Sequence, residues 1–224
     1  MNKSIIPNLF TASNLAFGVI GITLSAQGEF FYAAICVILS LVADACDGRV
    51  ARALGVAGPM GRELDSLSDV VGFGVAPAYM LFAKELGSIG WLAYVPLLVF
   101  AICGAFRLAR FNIMTEEVHG YFQGLPIPAA GMFAAGYVFS GGLAPTWVLM
   151  IAMIIVGILM VSNVKYPDFK GHSAVRNSKI AMAIAVLIVI VGLVINWHAC
   201  LALVFGAYIV YGIINSAINL VVKA

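Results

Sequence analysis

Long apolar stretches alternate with short polar connections along the whole chain, and each stretch is about as long as a membrane-crossing helix. Eight spans are predicted. The first runs from about Leu9 to Ala26 and the second from about Phe30 to Ala45. A third follows Asp69 and ends near Ala83, where Lys84, Glu85 and Gly87 break the pattern. The fourth runs from about Gly90 to Leu108, the fifth from Pro126 to Ser140 and the sixth from Thr146 to Val161. The seventh covers about Ile180 to Ile195 and the eighth about Ala199 to Val221. None shows the two-residue alternation of an outer-membrane barrel strand. Lys3 ahead of an apolar core also fits a signal peptide. Asn8, Thr11, Ser13 and Asn14 interrupt the start of that core, which favours a first transmembrane helix with a polar inner end.

Composition strengthens this picture. The chain is 63% hydrophobic and 10% charged, with a mean hydropathy of +1.07. A soluble domain is about half apolar and about a quarter charged. The expected fold is an all-α polytopic membrane protein, one membrane-embedded domain over residues 1–224. A net charge of +2 gives no reason to expect a nucleic-acid partner. Cys36, Cys46, Cys103 and Cys200 stand singly in apolar segments, without metal-ligand spacing, and read as small hydrophobes.

The placement of charge sets the orientation. Eight spans put both termini on one side, and with the N-terminus inside, the inner segments hold eleven of the twelve basic residues. Only Lys84 falls outside. Positive charge on the cytoplasmic side is the usual bias of membrane proteins. The expected location is a bacterial or archaeal plasma membrane.

That orientation places an unusual stretch at the cytoplasmic edge. Asp44–Asp69 reads DACDGRVARALGVAGPMGRELDSLSD and holds four of the ten carboxylates: Asp44, Asp47, Asp65 and Asp69. At about 100° per residue, Asp44, Asp47, Gly48 and Ala51 share one helix face, and Asp65 and Asp69 share another. A glycine- and arginine-rich turn between them lets the two helices run antiparallel, so the pairs can converge. Carboxylates beside an apolar region are costly, and converging ones repel. Taken singly, each could pair with a nearby Arg or sit beside a helix dipole. Taken together they point to divalent cations, Mg²⁺ or Mn²⁺, which prefer carboxylate oxygen and act with substrate phosphates. Two such ions form the usual clamp for in-line phosphoryl displacement. Gly48 and Ala51 leave room on the acidic face, and Arg52 offers a planar fork to a phosphate. Gly55, Gly58, Pro59 and Gly61 make a connection that can approach a ligand by its backbone.

The string D-x2-D-G-x2-A-R-x8-G-x3-D-x3-D runs without a gap from Asp44 to Asp69, with eight specified positions in 26 residues. It resembles the signature of the CDP-alcohol phosphotransferase family of membrane enzymes. The resemblance implies that a CDP-linked lipid donates its phosphoryl group to an alcohol and that CMP leaves. It further implies that Asp44, Asp47 and Asp65 bind two metal ions with Asp69 beside them, and that Asp69 is the general base. Gly48, Ala51, Arg52, Gly58 and Gly61 would line the CDP pocket. PNLFTASN is similar to the family's first-helix nucleotide contacts, which adds Thr11 and Asn14. Many relatives in the family are dimeric, so a homodimer is expected.

The signature does not name the alcohol. FRLARFN (Phe106–Asn112), GLPIPAAG (Gly124–Gly131) and SNVKYPDFK (Ser162–Lys170), with the eight-span count, resemble the phosphatidylserine synthase branch of that family. That resemblance implies CDP-diacylglycerol as donor and L-serine as acceptor. Arg107, Arg110, Asn112 and Lys165 become candidates for the acceptor or a phosphate. A serine carboxylate wants a cation, but so does glycerol 3-phosphate or an inositol phosphate. Arg107 and Arg110 also fit as positive-inside anchors to lipid headgroups. A divalent-cation transporter is the alternative from another class, although its carboxylates belong near the bilayer midplane on broken helices. A lipid-binding scaffold would leave the Asp65–Asp69 spacing without a purpose.

Overall fold

In the computed structural model, residues 3–114, 121–142, 144–167, 186–187, 190 and 199–223 are described. They are mostly helical. α1 spans Ile5–Ala26, α2 Phe30–Ala53 and α3 Pro59–Asp69. Beyond Asp69 the helical path continues without a loop. A π-helical turn at Val70–Val75 leads into α4 (Ala76–Leu81), and a second π turn at Phe82–Leu86 passes into a 3₁₀ segment, Gly87–Ala93. α5 covers Tyr94–Met114, α6 Ile127–Phe139, α7 Thr146–Val161 and α8 Cys200–Lys223.

Four stretches among the described residues are helical, long and apolar enough to cross a membrane: Ile5–Ala26, Phe30–Ala53, the path through Pro59–Ile113 and Cys200–Ile218. α6 and α7 are shorter apolar helices. The chain is an integral membrane protein. The expected seventh span, Ile180–Ile195, lies almost wholly outside the described residues, so the structure gives no count of eight.

Several boundaries differ from expectation. α1 begins at Ile5 rather than Leu9, since Asn8 sits inside the helix. α2 runs eight residues past Ala45 to Ala53, because its charged end is still helical at the membrane edge. The third span carries on past Ala83 through the second π turn and breaks from the fourth at Gly90, whose φ of 66° suits glycine, and α5 packs back against the first π turn and α4. The fold is also not purely α-helical. β1 (Tyr121–Gln123) and β2 (Lys165–Pro167) pair antiparallel, with Phe122 opposite Tyr166. Pairing satisfies main-chain groups of two connections that would otherwise lie open at the end of the bundle.

Polarity runs inside out on α1. Its buried stripe is Pro7, Thr11, Asn14, Gly18, Gly21 and Ser25, spaced three or four residues apart. Leu9, Val19 and Ile20 face outward. Without a hydrophobic drive between helices in lipid, small and polar residues make the contacts and apolar ones meet the acyl chains. α1 packs along α2 and also against α3 and the first π turn. α2 uses Ala33, Cys36, Val37, Ser40, Ala43 and Asp47 for its inner face. The two inner faces therefore carry Asp47 and its partners toward α3.

Glycines set the closest approaches on the other side of the bundle. A Cβ on Gly136 of α6 would lie 2.8 Å from the Leu201 carbonyl carbon and against the Ala202 nitrogen of α8. Main chain cannot swing away as a side chain can. Gly136→Ala is expected to separate α6 from α8 and cost about 1–3 kcal/mol, read as a lower thermal midpoint in detergent. An unchanged midpoint would mean that this contact is not tight in the membrane protein.

Candidate active site

Asp44 and Asp47 come from the last turns of α2, and Asp65 from the middle of α3. The turn between, residues 54–58, reverses the chain with Gly55 at a φ of 66°. One carboxylate oxygen from each of Asp44, Asp47 and Asp65 lies within 4.8 Å of the other two. Asp65 Oδ1 is buried with no hydrogen-bond partner. Among the described residues, no Lys, Arg or His forms an ion pair with any of the three. Three carboxylates so placed form an all-oxygen donor set with spare lone pairs. They fit a hard divalent cation.

α1 braces this cluster from one side. Thr11 Oγ1 donates to Asp47 Oδ2 at 2.7 Å and lies 3.2 Å from the Pro7 carbonyl oxygen. Asn14 Nδ2 donates to Asp69 Oδ1 at 2.9 Å. Asp69 is 6% exposed and Asn14 fully buried. Asp69 is not one of the clustered three and sits one turn deeper, at the last residue of α3.

A pocket of about 380 Å³ opens beside the cluster. Thr11, Gly48, Ala51, Arg52, Gly58 and Gly61 line it, together with Asp47 and Asp65. A Cβ on Gly58 or Gly61 would meet nothing within 4 Å, and one on Gly48 only Arg52 Nη1 at 3.7 Å. These glycines face open space rather than a packed neighbour. Asn14 is not in the lining. Asn8, Val56, Ala57 and Arg62 are, and the sequence reading did not single them out. Arg62 had a signal, a second cation in the turn, and Asn8 stands in the PNLFTASN string.

The four acceptor candidates separate. Arg107 is 6% exposed, its Nε buried without a hydrogen-bond partner and its guanidinium 5.1 Å from the Phe111 ring centroid. It is close enough to Asp69 for their charges to interact. Asn112 turns to α3, donating to Ser66 Oγ at 3.0 Å and to Glu63 Oε2 at 3.4 Å. Lys165 is exposed in β2, and its main-chain N–H donates to Ser216 Oγ at 3.1 Å. Arg110 is taken up by the protein itself. Nη1 donates to the Val161 carbonyl at 2.9 Å, and Nη2 to those of Gln123 and Ser162, each at 3.0 Å. This ties the end of α5 to the end of α7 and to β1. The sequence shows two similar arginines three residues apart, and only packing separates the buried one from the strapped one.

The helical membrane protein thus carries a carboxylate trio beside a glycine-lined pocket. Comparison with known proteins narrows the class. The family description CDP-alcohol phosphatidyltransferase matches residues 4–160. The chain belongs to that family. It is 38% identical over 220 residues to the CDP-diacylglycerol–serine O-phosphatidyltransferase of Helicobacter pylori, covering 93% of this chain and 90% of that one. It is 36% identical over 210 residues to the protein of the same name in Methanocaldococcus jannaschii, covering 94% and 93%. The archaetidylserine synthase of Methanothermobacter thermautotrophicus is 35% identical over 175 residues, covering 75% and 72%.

Arg110→Lys is expected to loosen the bundle end. An ammonium cannot reproduce two planar nitrogens reaching three carbonyls, and each charged hydrogen bond lost costs about 1.5–3 kcal/mol. A thermal midpoint equal to that of the wild type would show that the strap carries no stability.

Proposed function

We propose that this protein transfers the phosphatidyl group of CDP-diacylglycerol to the hydroxyl of L-serine, giving phosphatidylserine and CMP. The carboxylate trio of Asp44, Asp47 and Asp65 at the edge of the glycine-lined pocket is the observation that carries the reaction class. The choice of serine draws on the names of the relatives aligned over nearly the whole chain.

The proposed setting is a single membrane-embedded domain of eight spans, with the site at the cytoplasmic face and the donor's acyl chains still in lipid. Eleven basic residues on one side support that orientation. A homodimer is the proposed assembly. Asp44, Asp47 and Asp65, with Asp69 beside them, would hold two divalent cations, Mg²⁺ or Mn²⁺. When bound, such ions neutralise the pyrophosphate and the charge that develops on it.

The chain's own residues supply the rest. Thr11 holds Asp47 by a hydrogen bond, so the trio is partly ordered before any ligand arrives. Arg52 reaches into the pocket and offers a fork to a phosphate oxygen. Gly48, Ala51, Gly58 and Gly61 leave space for the cytidine end and let main chain approach it. Arg107, buried beside Asp69, is the group best placed to attract the serine carboxylate. Asn112 and Lys165 lie at the same end of the bundle, within the acceptor's approach. Asp69 takes the proton from the serine hydroxyl. The serine oxygen then bonds to the phosphorus bearing diacylglycerol, and the bond from that phosphorus to the bridging oxygen breaks. CMP leaves with the electron pair.

Purified protein supplied with CDP-diacylglycerol and a panel of alcohols provides the test, read as CMP release. Serine should support turnover where glycerol 3-phosphate and inositol phosphate do not. CMP release with one of those in place of serine would move the protein to another acceptor within the family. Cation flux into liposomes with no lipid turnover would favour a transporter.

The aspartates make a second, separate expectation. Asp69→Asn should abolish transfer while sparing donor binding. Asp44→Asn and Asp65→Asn should shift activity to higher metal concentrations. A metal titration identical to that of the wild type would remove the trio from cation binding.

A further inference from the structure

We propose that Asn14 is a positioning residue for Asp69. Its side-chain amide fixes the carboxylate that receives the acceptor proton, and Gly72 is the small residue that leaves the amide room. This rests on Asp69 being the base and assigns it a support. It also gives Asn14 a different task from the nucleotide contact that the PNLFTASN resemblance implies.

Three observations carry it. First, the amide meets the carboxylate directly, Nδ2 to Oδ1 at 2.9 Å, with Asn14 completely buried. An ionised carboxylate only accepts, so the amide nitrogen must face it. Holding Oδ1 leaves Oδ2 as the oxygen turned to the acceptor. Second, Asn14 is itself pinned. Its main-chain oxygen accepts from Ser40 Oγ at 3.2 Å, which joins α1 to α2 at the level of Asp69. Third, the other end of the amide rests on Gly72. Asn14 Oδ1 is buried without a hydrogen-bond partner, and a Cβ built on Gly72 would fall directly on that oxygen.

The backbone explains why glycine stands there. Asp69 ends α3, and the wider π turn begins at Val70. α1 crosses that turn closely: a Cβ on Gly18 would lie 3.0 Å from Gly72 Cα. π turns recur at functional sites. Here the turn follows the base and packs its glycine against the residue that orients it. Neither Asn14 nor Asp69 lines the glycine-rich pocket, so the pair sits behind the surface assigned to the nucleotide.

The test is a double-mutant cycle of Asn14→Ala and Gly72→Ala, made in the full chain in detergent or nanodiscs. Four quantities are read: kcat, KM for CDP-diacylglycerol, CDP affinity by titration and the thermal midpoint. Each single variant should lower kcat about tenfold to a hundredfold, the usual penalty for misplacing a reacting group. KM for the donor and CDP affinity should stay within about twofold of the wild type, since orientation of the base rather than donor binding is lost. The double variant should be no worse than Asn14→Ala alone, because Gly72 acts through Asn14.

Raised donor KM and weakened CDP binding with kcat retained would make Asn14 a nucleotide contact and overturn the proposal. A lower thermal midpoint with unchanged kcat per folded molecule would reduce it to packing. Additive losses in the double variant would detach Gly72 from Asn14. If Asn14→Ala does not fold, Gly72→Ala carries the same split between kcat and donor binding, because the added Cβ meets Asn14 and Ser40 and lies outside the pocket lining. The wild type runs alongside with the alcohol panel. Silence of the wild type with every alcohol would sink the proposed reaction, whereas an active wild type with equally active variants would sink only the positioning role.

Discussion

Repulsion among like charges at the edge of a low-dielectric slab is the constraint on which this structure turns. Asp44, Asp47 and Asp65 each bring an oxygen to the same small volume, and no ion pair balances them among the described residues. Left to itself, such a cluster would push α2 and α3 apart. The fold resists with packing and neutral donors. α1 lies along α2 and against α3, and Thr11 and Asn14 each give a hydrogen bond to one aspartate. An acidic cluster so braced is one whose repulsion a divalent cation would relieve.

This division of labour explains the composition of α1. Its inner stripe is made of small and polar residues, and its apolar ones face lipid. In a soluble helix that arrangement would be inside out. In a bilayer it lets backbones come close and reserves polar side chains for internal work. The same logic governs the close crossing of Gly18 and Gly72 and that of Gly136 with the start of α8.

The far end of the site is held differently. Arg110 spends its donors on three main-chain carbonyls, and β1 pairs with β2. Tyr166 of β2 is buried against Gly212, with its ring 5.2 Å from that of Tyr208. These contacts join the ends of α5 and α7 to the middle of α8. Arg107 is thereby held as a buried cation beside Asp69.

Much of the site was legible in the chain because its chemistry is local. Helical periodicity alone puts Asp44 with Asp47 and Asp65 with Asp69, and a glycine turn alone lets the two pairs meet. Membrane character was equally legible, since hydropathy acts through sums over whole segments. The two π turns on the path from α3 were not, because they depend on what the helix packs against. Nor was the difference between Arg107 and Arg110, which share a segment and differ only in what surrounds them. Asn14 belongs to the same group. In sequence it is one polar residue in a greasy helix, 55 residues from Asp69. Which residues carry charge, and which face of each helix they occupy, can be read from the chain alone, because both follow from residue identity and the helical repeat. Which partner each one meets emerges on folding, because that depends on how closely neighbouring helices approach, and glycines set that distance.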